Sequence, residues 1–296
     1  MQGHNFESGQ NGTPVAVVTG ASSGVGKATA KALAGLGWHV IAHGRDPERI
    51  VAAEAEIRAA ANGGQVNMVC GDLSLMSDTA RMATEIGKLT YKVHALVNNA
   101  GGVRSERVIT PEGNEATFAG NHLGHFLLTN RLLPLLRAAA ATSKVGTVRI
   151  LSVSSTGHES CPGLDWNDLQ QTQAWVSGKS YCLAKLCNIL FTRELAKRLA
   201  ADGIVANAMH PGVVASNFAN HAEPRMKAYM ETLQSVSPEI GADTLVWLAT
   251  APEAGQVSGG YFHKREALSP AAAALDDAAA ERLWRESEAL VARSGV

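Results

Sequence analysis

The chain's 296 residues suffice for one large α/β domain with a full core, and 46% apolar against 18% charged residues is the balance of a globular enzyme. Its 26 Lys and Arg nearly cancel its 27 Asp and Glu, which leaves no electrostatic basis for binding nucleic acid or an anionic membrane. Cys70, Cys161, Cys182 and Cys187 follow no CxxC or disulfide-framework spacing, and no run of ~18 apolar residues offers a membrane span. The expectation is a soluble, cytoplasmic protein with reduced thiols. Residues 1–13 are polar and lack an apolar stretch, so they read as a loose tail before a single domain over 14–296.

From residue 15 short apolar runs alternate with longer stretches at helical spacing. The runs 15–19, 39–43, 66–70, 94–99, 147–154 and 204–210 predict six strands, each followed by a helix. Such alternation implies βαβ units with right-handed crossovers, and runs apolar on both faces imply a parallel sheet covered on both sides. The expected fold class is a single Rossmann-like, doubly wound α/β domain. Two segments break the rhythm: the polar stretch 156–173, expected as a loop, and 212–236, which carries a helical patch. Ligands of open α/β sheets sit at the carboxyl ends of strands, so both segments are candidate walls of a substrate pocket. Surface decoration is the competing account of both, and weighs more for the first.

The first strand runs into TGASSGVGKATAKAL, residues 19–33. Gly20 permits a sharp turn, Gly24 and Gly26 permit close backbone approach, and Ser22, Ser23 and Val25 complete a helix start whose N–H groups suit a pyrophosphate. The same stretch matches the hydrolase elbow G-x-S-x-G, with Ser22 as nucleophile, although such an elbow follows several strands. A P-loop fails at Ala21 and Ala28, and G-x-G-x-x-G is not matched. Further on, Tyr181 and Lys185 stand four apart in a helical pattern, on one face. A lysine ammonium held there is expected to lower the phenol's pKa, and such a tyrosine can protonate a forming alkoxide. His122 and His125 lie three apart with no third ligand, which favours helix packing over zinc.

TGASSGVG, GDL at 71–73, NNAG at 98–101, Ser155, YCLAK at 181–185 and HPG at 210–212 occur in an order that resembles the short-chain dehydrogenase/reductase family. GNEATFAGNHLGHFLLTNRLLPLL (113–136), LFTRELAKRL, HPGVVAS and ERLWRESEAL are similar to its retinol-dehydrogenase-like branch, which includes bacterial polyketide ketoreductases. The resemblance implies an NADP(H)-dependent oxidoreductase that moves a hydride to or from the carbonyl or secondary alcohol of a bulky, fairly apolar small molecule. It makes Tyr181 the acid/base, and Lys185 a contact of the nicotinamide ribose. Ser155 would hold the substrate carbonyl, with Ser154 its rival on the opposite face of the strand. Asn121, in a long helix, would hold a water relaying protons to Lys185.

For the cofactor, the resemblance places Asp72 on the adenine amino group with Leu73 packed on the ring, Asn98 and Ala100 on the adenosine side, and Val214 on the carboxamide. Asp72 has a second reading as a helix N-cap. Arg45 stands just past the second strand, where an acidic residue would bind the ribose of NAD, and its guanidinium suits a 2′-phosphate. Asp46 reads as the cap of a helix beginning at Pro47. Family members often pair through their fourth and fifth long helices, which makes a homo-oligomer an expectation. A catalytically idle dinucleotide-binding protein is the alternative function.

Overall fold

A computed structural model of the chain describes residues 12–216, 218 and 222–296; the expected tail lies outside them up to residue 11. Strands β1 (Val15–Val18), β2 (His39–Gly44), β4 (Ala95–Asn98), β5 (Arg149–Val153) and β6 (Val205–Met209) are buried at every residue. Strands without polar alternation need cover on both faces, and helices supply it. With β3 (Val66–Cys70), β7 (Tyr261–His263) and β8 (Glu266–Leu268) they form one sheet in the order β3-β2-β1-β4-β5-β6-β7-β8. All neighbours run parallel except β8, which is antiparallel to β7. The order reverses between β1 and β4, so their carboxyl ends open the crevice where ligands of such sheets lie.

The helices are α1 (Gly24–Gly35), α2 (Pro47–Ala60), α3 (Met76–Leu89), α4 (Ala116–Phe118), α5 (Gly124–Ala140), α6 (Ser177–Arg198), α7 (Pro224–Glu231), α8 (Pro238–Thr250) and α9 (Asp277–Arg293). Leu33, Ile57 and Leu245, from α1, α2 and α8, bury against one face of the sheet; Met82, Leu132 and Leu190, from α3, α5 and α6, bury against the other. Asp46 caps α2 as expected, accepting from Glu48 N at 3.0 Å and Arg49 N at 3.3 Å. Within 212–236 the helical patch forms α7, and 156–173 opens with a 3-10 turn, Thr156–Ser160. No described helix is long and apolar enough to cross a membrane.

Helix α9 lies across α5 and α6. The Trp284 ring centroid is 4.9 Å from that of Phe126 and 5.8 Å from that of Phe191, and Ser287 Oγ meets His122 Nε2 at 2.9 Å.

Candidate active site

The glycine turn packs its backbone tightly against its neighbours. Gly20 and Gly24 have φ of +66° and +54°, which glycine adopts without strain. A Cβ on Gly26 would collide with Asn99 Nδ2 and Gly20 O, so that position accepts no side chain. Ser23 precedes α1 without donating or accepting a side-chain cap, which leaves the first helical N–H groups free of protein side chains. Ser216 crosses above: its Cβ is 3.2 Å from where a Cβ on Gly24 would be. Val25 and Val214 both pack at Gly241 of α8, their Cγ2 atoms 3.1 Å and 2.8 Å from the point its Cβ would occupy. The start of α1 and the 212–216 segment thus face each other, and the uncapped N–H groups of α1 are of the kind that suits a pyrophosphate.

His43, which the sequence did not single out, ties this turn to its neighbours. Gly20 N–H donates to His43 Nδ1 at 3.2 Å, and His43 Nε2 donates to the Gly71 carbonyl at 2.9 Å. Burial holds its pKa below the usual histidine value, so it stays neutral and keeps both bonds. With both ring nitrogens engaged, His43 is unavailable as a base for Ser22.

On the adenosine side the structure sorts the expected contacts. Arg45 is exposed, its Nη1 3.9 Å from Asp72 Oδ2. Asp72 is not a helix cap: its Oδ1 accepts from Ser74 N at 2.9 Å and Ser74 Oγ at 2.8 Å in a tight turn. The start of α3 is capped instead by Glu112, from Met76 N at 2.6 Å and Ser77 N at 2.9 Å. Leu73 is 4% exposed and belongs to the core, and Asn98 is 1% exposed with its Nδ2 donating to Thr129 Oγ1 at 3.0 Å. Asn99 faces the turn, donating to Thr19 O at 2.8 Å, and Ala100 backs Gly20 closely.

At the end of β5 packing sends the two serines to different partners. Ser154 is buried and donates to the Lys185 carbonyl at 2.7 Å, a helix-anchoring role. Ser155 points to the other side, where its Oγ accepts from Gly157 N at 3.1 Å and hydrogen-bonds the Tyr181 hydroxyl. The Tyr181 ring meets Phe218 edge-on at 5.0 Å. Lys185 lies one turn along α6, its Nζ 5.4 Å from the Tyr181 ring centroid and donating to Val153 O at 3.0 Å.

Asn121 sits in a π-turn, Ala119–Leu123, that joins α4 to α5, rather than in a regular helix. Such turns cluster at functional sites. Its Nδ2 donates to Gly102 O and Thr117 O at 3.0 and 2.8 Å, and its Oδ1 accepts from Gly102 N at 3.0 Å. A Cβ on Gly101 would lie 2.5 Å from Asn121 Oδ1 and 3.1 Å from Lys185 Nζ, so these two groups meet over a glycine that must stay bare.

The electrostatics differ from the sequence-based expectation. Burial pushes the Tyr181 phenol above its usual value, with the Ser155 hydrogen bond offsetting part of the rise. Burial also pulls the Lys185 ammonium down to about 8. Desolvation sets the direction for both groups, favouring the neutral phenol and the neutral amine.

Two buried groups behind the site also escaped sequence reasoning. Glu115 accepts from Thr117 N at 3.0 Å, Phe118 N at 2.7 Å, Trp175 Nε1 at 3.1 Å and Ser180 Oγ at 3.1 Å. His158 Nδ1 donates to Ser155 O at 2.7 Å, while its Nε2 accepts from Ala271 N at 3.1 Å. Their signals in the sequence, a Glu before an apolar helix and a His in a polar stretch, are too common to single out.

The short chain dehydrogenase family model matches residues 14–166. Human retinol dehydrogenase 13 is 38% identical over 283 residues, spanning 93% of this chain and 83% of that protein. An uncharacterized protein from Mycobacterium paratuberculosis matches with a TM-score of 0.73 at 30% identity, covering 94% of this chain and 93% of that one. The NADP active-site complex of RhlG from Pseudomonas aeruginosa gives 0.67 at 25% identity, covering 84% and 93%. With this site on this sheet, the chain belongs to the short-chain dehydrogenase family.

Proposed function

We propose that the protein is an NADP(H)-dependent oxidoreductase that reduces the carbonyl of a bulky, fairly apolar small molecule, or oxidises the matching secondary alcohol. The observation that carries this reading is the convergence of Ser155, Tyr181, Lys185 and Asn121 beside the open glycine turn. Bound NADPH would supply the hydride. The Ser155 and Tyr181 hydroxyls, already in contact, would both hydrogen-bond the carbonyl oxygen. Tyr181 would then pass its proton to the alkoxide as it forms, an oxygen far more basic than the phenol. Lys185, beneath the ring, would offset negative charge developing there and contact the ribose of the bound cofactor. Phe218 against Tyr181 gives the pocket an apolar wall, which agrees with the retinol named in the human relative. Mixing the protein with NADPH and a panel of apolar ketones and aldehydes tests this: cofactor oxidation is expected, and binding without oxidation throughout would favour the idle dinucleotide-binding reading.

The pH profile follows from Lys185. Below about pH 8 its ammonium is charged, and above that value the charge is lost, while Tyr181 keeps its proton throughout. The kcat/KM for carbonyl reduction is therefore expected to hold level up to about pH 8 and to decline above it. A profile still level several units higher would remove Lys185's charge from the mechanism.

Arg45 accounts for the phosphate form of the cofactor. Hydrogen bonds to a charged group contribute ~1.5–3 kcal/mol, so Arg45→Ala is expected to weaken NADPH binding roughly ten- to a hundredfold. NADH, which has no phosphate there, should change little. The exposed ion pair with Asp72 is too weak to withhold the guanidinium. Titrating both cofactors checks this; parallel losses would place Arg45 on the shared adenine instead.

A further inference from the structure

His125 reads from the sequence as a packing residue, but its two ring nitrogens join the cofactor turn to the π-turn of Asn121. His125 Nδ1 lies 3.1 Å from the Asn121 carbonyl oxygen, and Nε2 lies 3.0 Å from Thr19 Oγ1. A carbonyl can only accept, so Nδ1 carries the proton and Nε2 is left as an acceptor. The Thr19 hydroxyl must then donate to Nε2, in preference to the Val97 carbonyl at 3.2 Å. The same hydroxyl oxygen accepts the N–H of Asn99 at 2.9 Å and of Ala100 at 3.0 Å. The directions run one way: NNAG amides to Thr19, Thr19 to His125, His125 to Asn121.

We propose that His125 is a positioning residue for hydride transfer, holding the Asn121 turn in register with Lys185 and with the glycine turn that cradles the cofactor. The inference rests on the reading of Asn121 and Lys185 as reaction machinery. Three features support it. In a π-turn the carbonyls lose the regular i+4 spacing of their partners, and here a side chain secures the one at Asn121. The imidazole is 2% exposed, so both of its polar atoms depend on these bonds. Burial holds it neutral, its pKa down at about 3, with Lys185 nearby also opposing a second positive charge. A protonated or Nε2–H imidazole would break one link or the other.

Two measurements test this. In protein labelled with ¹⁵N-histidine and saturated with NADPH, His125 is expected as the Nδ1–H tautomer, the less common form of a neutral imidazole; the Nε2–H form would overturn the proposal. The second uses two variants. His125→Leu removes both links. His125→Asn keeps a donor for the Asn121 carbonyl, as Asn130 Nδ2 does for Phe126 O at 2.8 Å further along α5, and gives up Thr19. His125→Leu is expected to lose ~10²-fold in kcat, as a displaced reacting group does, with the KM for NADPH little changed. His125→Asn should regain most of that loss. Hydrogen exchange across 119–123 should quicken in the Leu variant and return toward wild type in the Asn variant. Equal rates in both variants, or lowered thermal stability with kcat and exchange untouched, would make His125 a packing residue only. Wild-type protein inactive on every carbonyl would fail the functional reading, whereas the tautomer and the exchange rates judge the lock itself.

Discussion

Tyr181→Phe is expected to keep NADPH binding and to lose about 10²–10⁴-fold in turnover, the contribution of a positioned general acid. The substitution removes one oxygen and leaves the packing alone: the ring still meets Phe218 edge-on, and Ser155 still accepts from Gly157 N. Ser155 alone can hold the carbonyl oxygen, but a serine hydroxyl is a poor acid next to a phenol. Because burial has already raised the phenol's pKa, the proton is retained until alkoxide forms, so its loss falls on the chemical step. The comparison is kcat at saturating NADPH alongside the dissociation constant of NADPH. Near-normal turnover would take Tyr181 out of the mechanism.

Glu115→Ala is expected to be the most damaging change to stability. The carboxylate is fully buried and accepts from two backbone N–H groups, an indole and a hydroxyl. Each buried donor left without a partner costs ~1–3 kcal/mol, and water entering the gap relieves part of the sum. A net loss of about 3–5 kcal/mol follows, or a fall of roughly 10 °C in Tm for a domain of this size. Function should suffer beyond stability, because Glu115 joins the start of α4, which leads to Asn121, to Ser180, the neighbour of Tyr181. Thermal melts and kcat measured well below the transition separate the two effects. A Tm within a degree or two of wild type would show that the donors find other partners.

Much of this was legible in the sequence because its signal is local. Strands buried on both faces announce themselves as apolar runs, and Tyr181 and Lys185 announce a shared face by their spacing. The glycine turn is legible because glycine takes the positive φ found at Gly20 and Gly24 without strain. What escaped had no local signature. Strands β7 and β8 are three residues each, too short for periodicity to register. The π-turn at Asn121 has the composition of the helix it interrupts. His43, Glu115 and His125 act through partners distant in sequence, 23 residues away for Gly20 and His43, 106 for Thr19 and His125. The direction of the Tyr181 shift was missed for a related reason: burial belongs to the fold, while the Lys185 spacing belongs to the helix.

The central claim is hydride transfer to a carbonyl with a proton from Tyr181. It is tested most directly with the two C4-deuterated epimers of NADPH and an apolar ketone turned over by the wild-type protein and Tyr181→Phe. The account predicts that one epimer, and not the other, yields alcohol carrying a single deuterium on the carbinol carbon, formed far more slowly by the variant. NADPH binding with no labelled alcohol from either epimer across the ketone panel would contradict it.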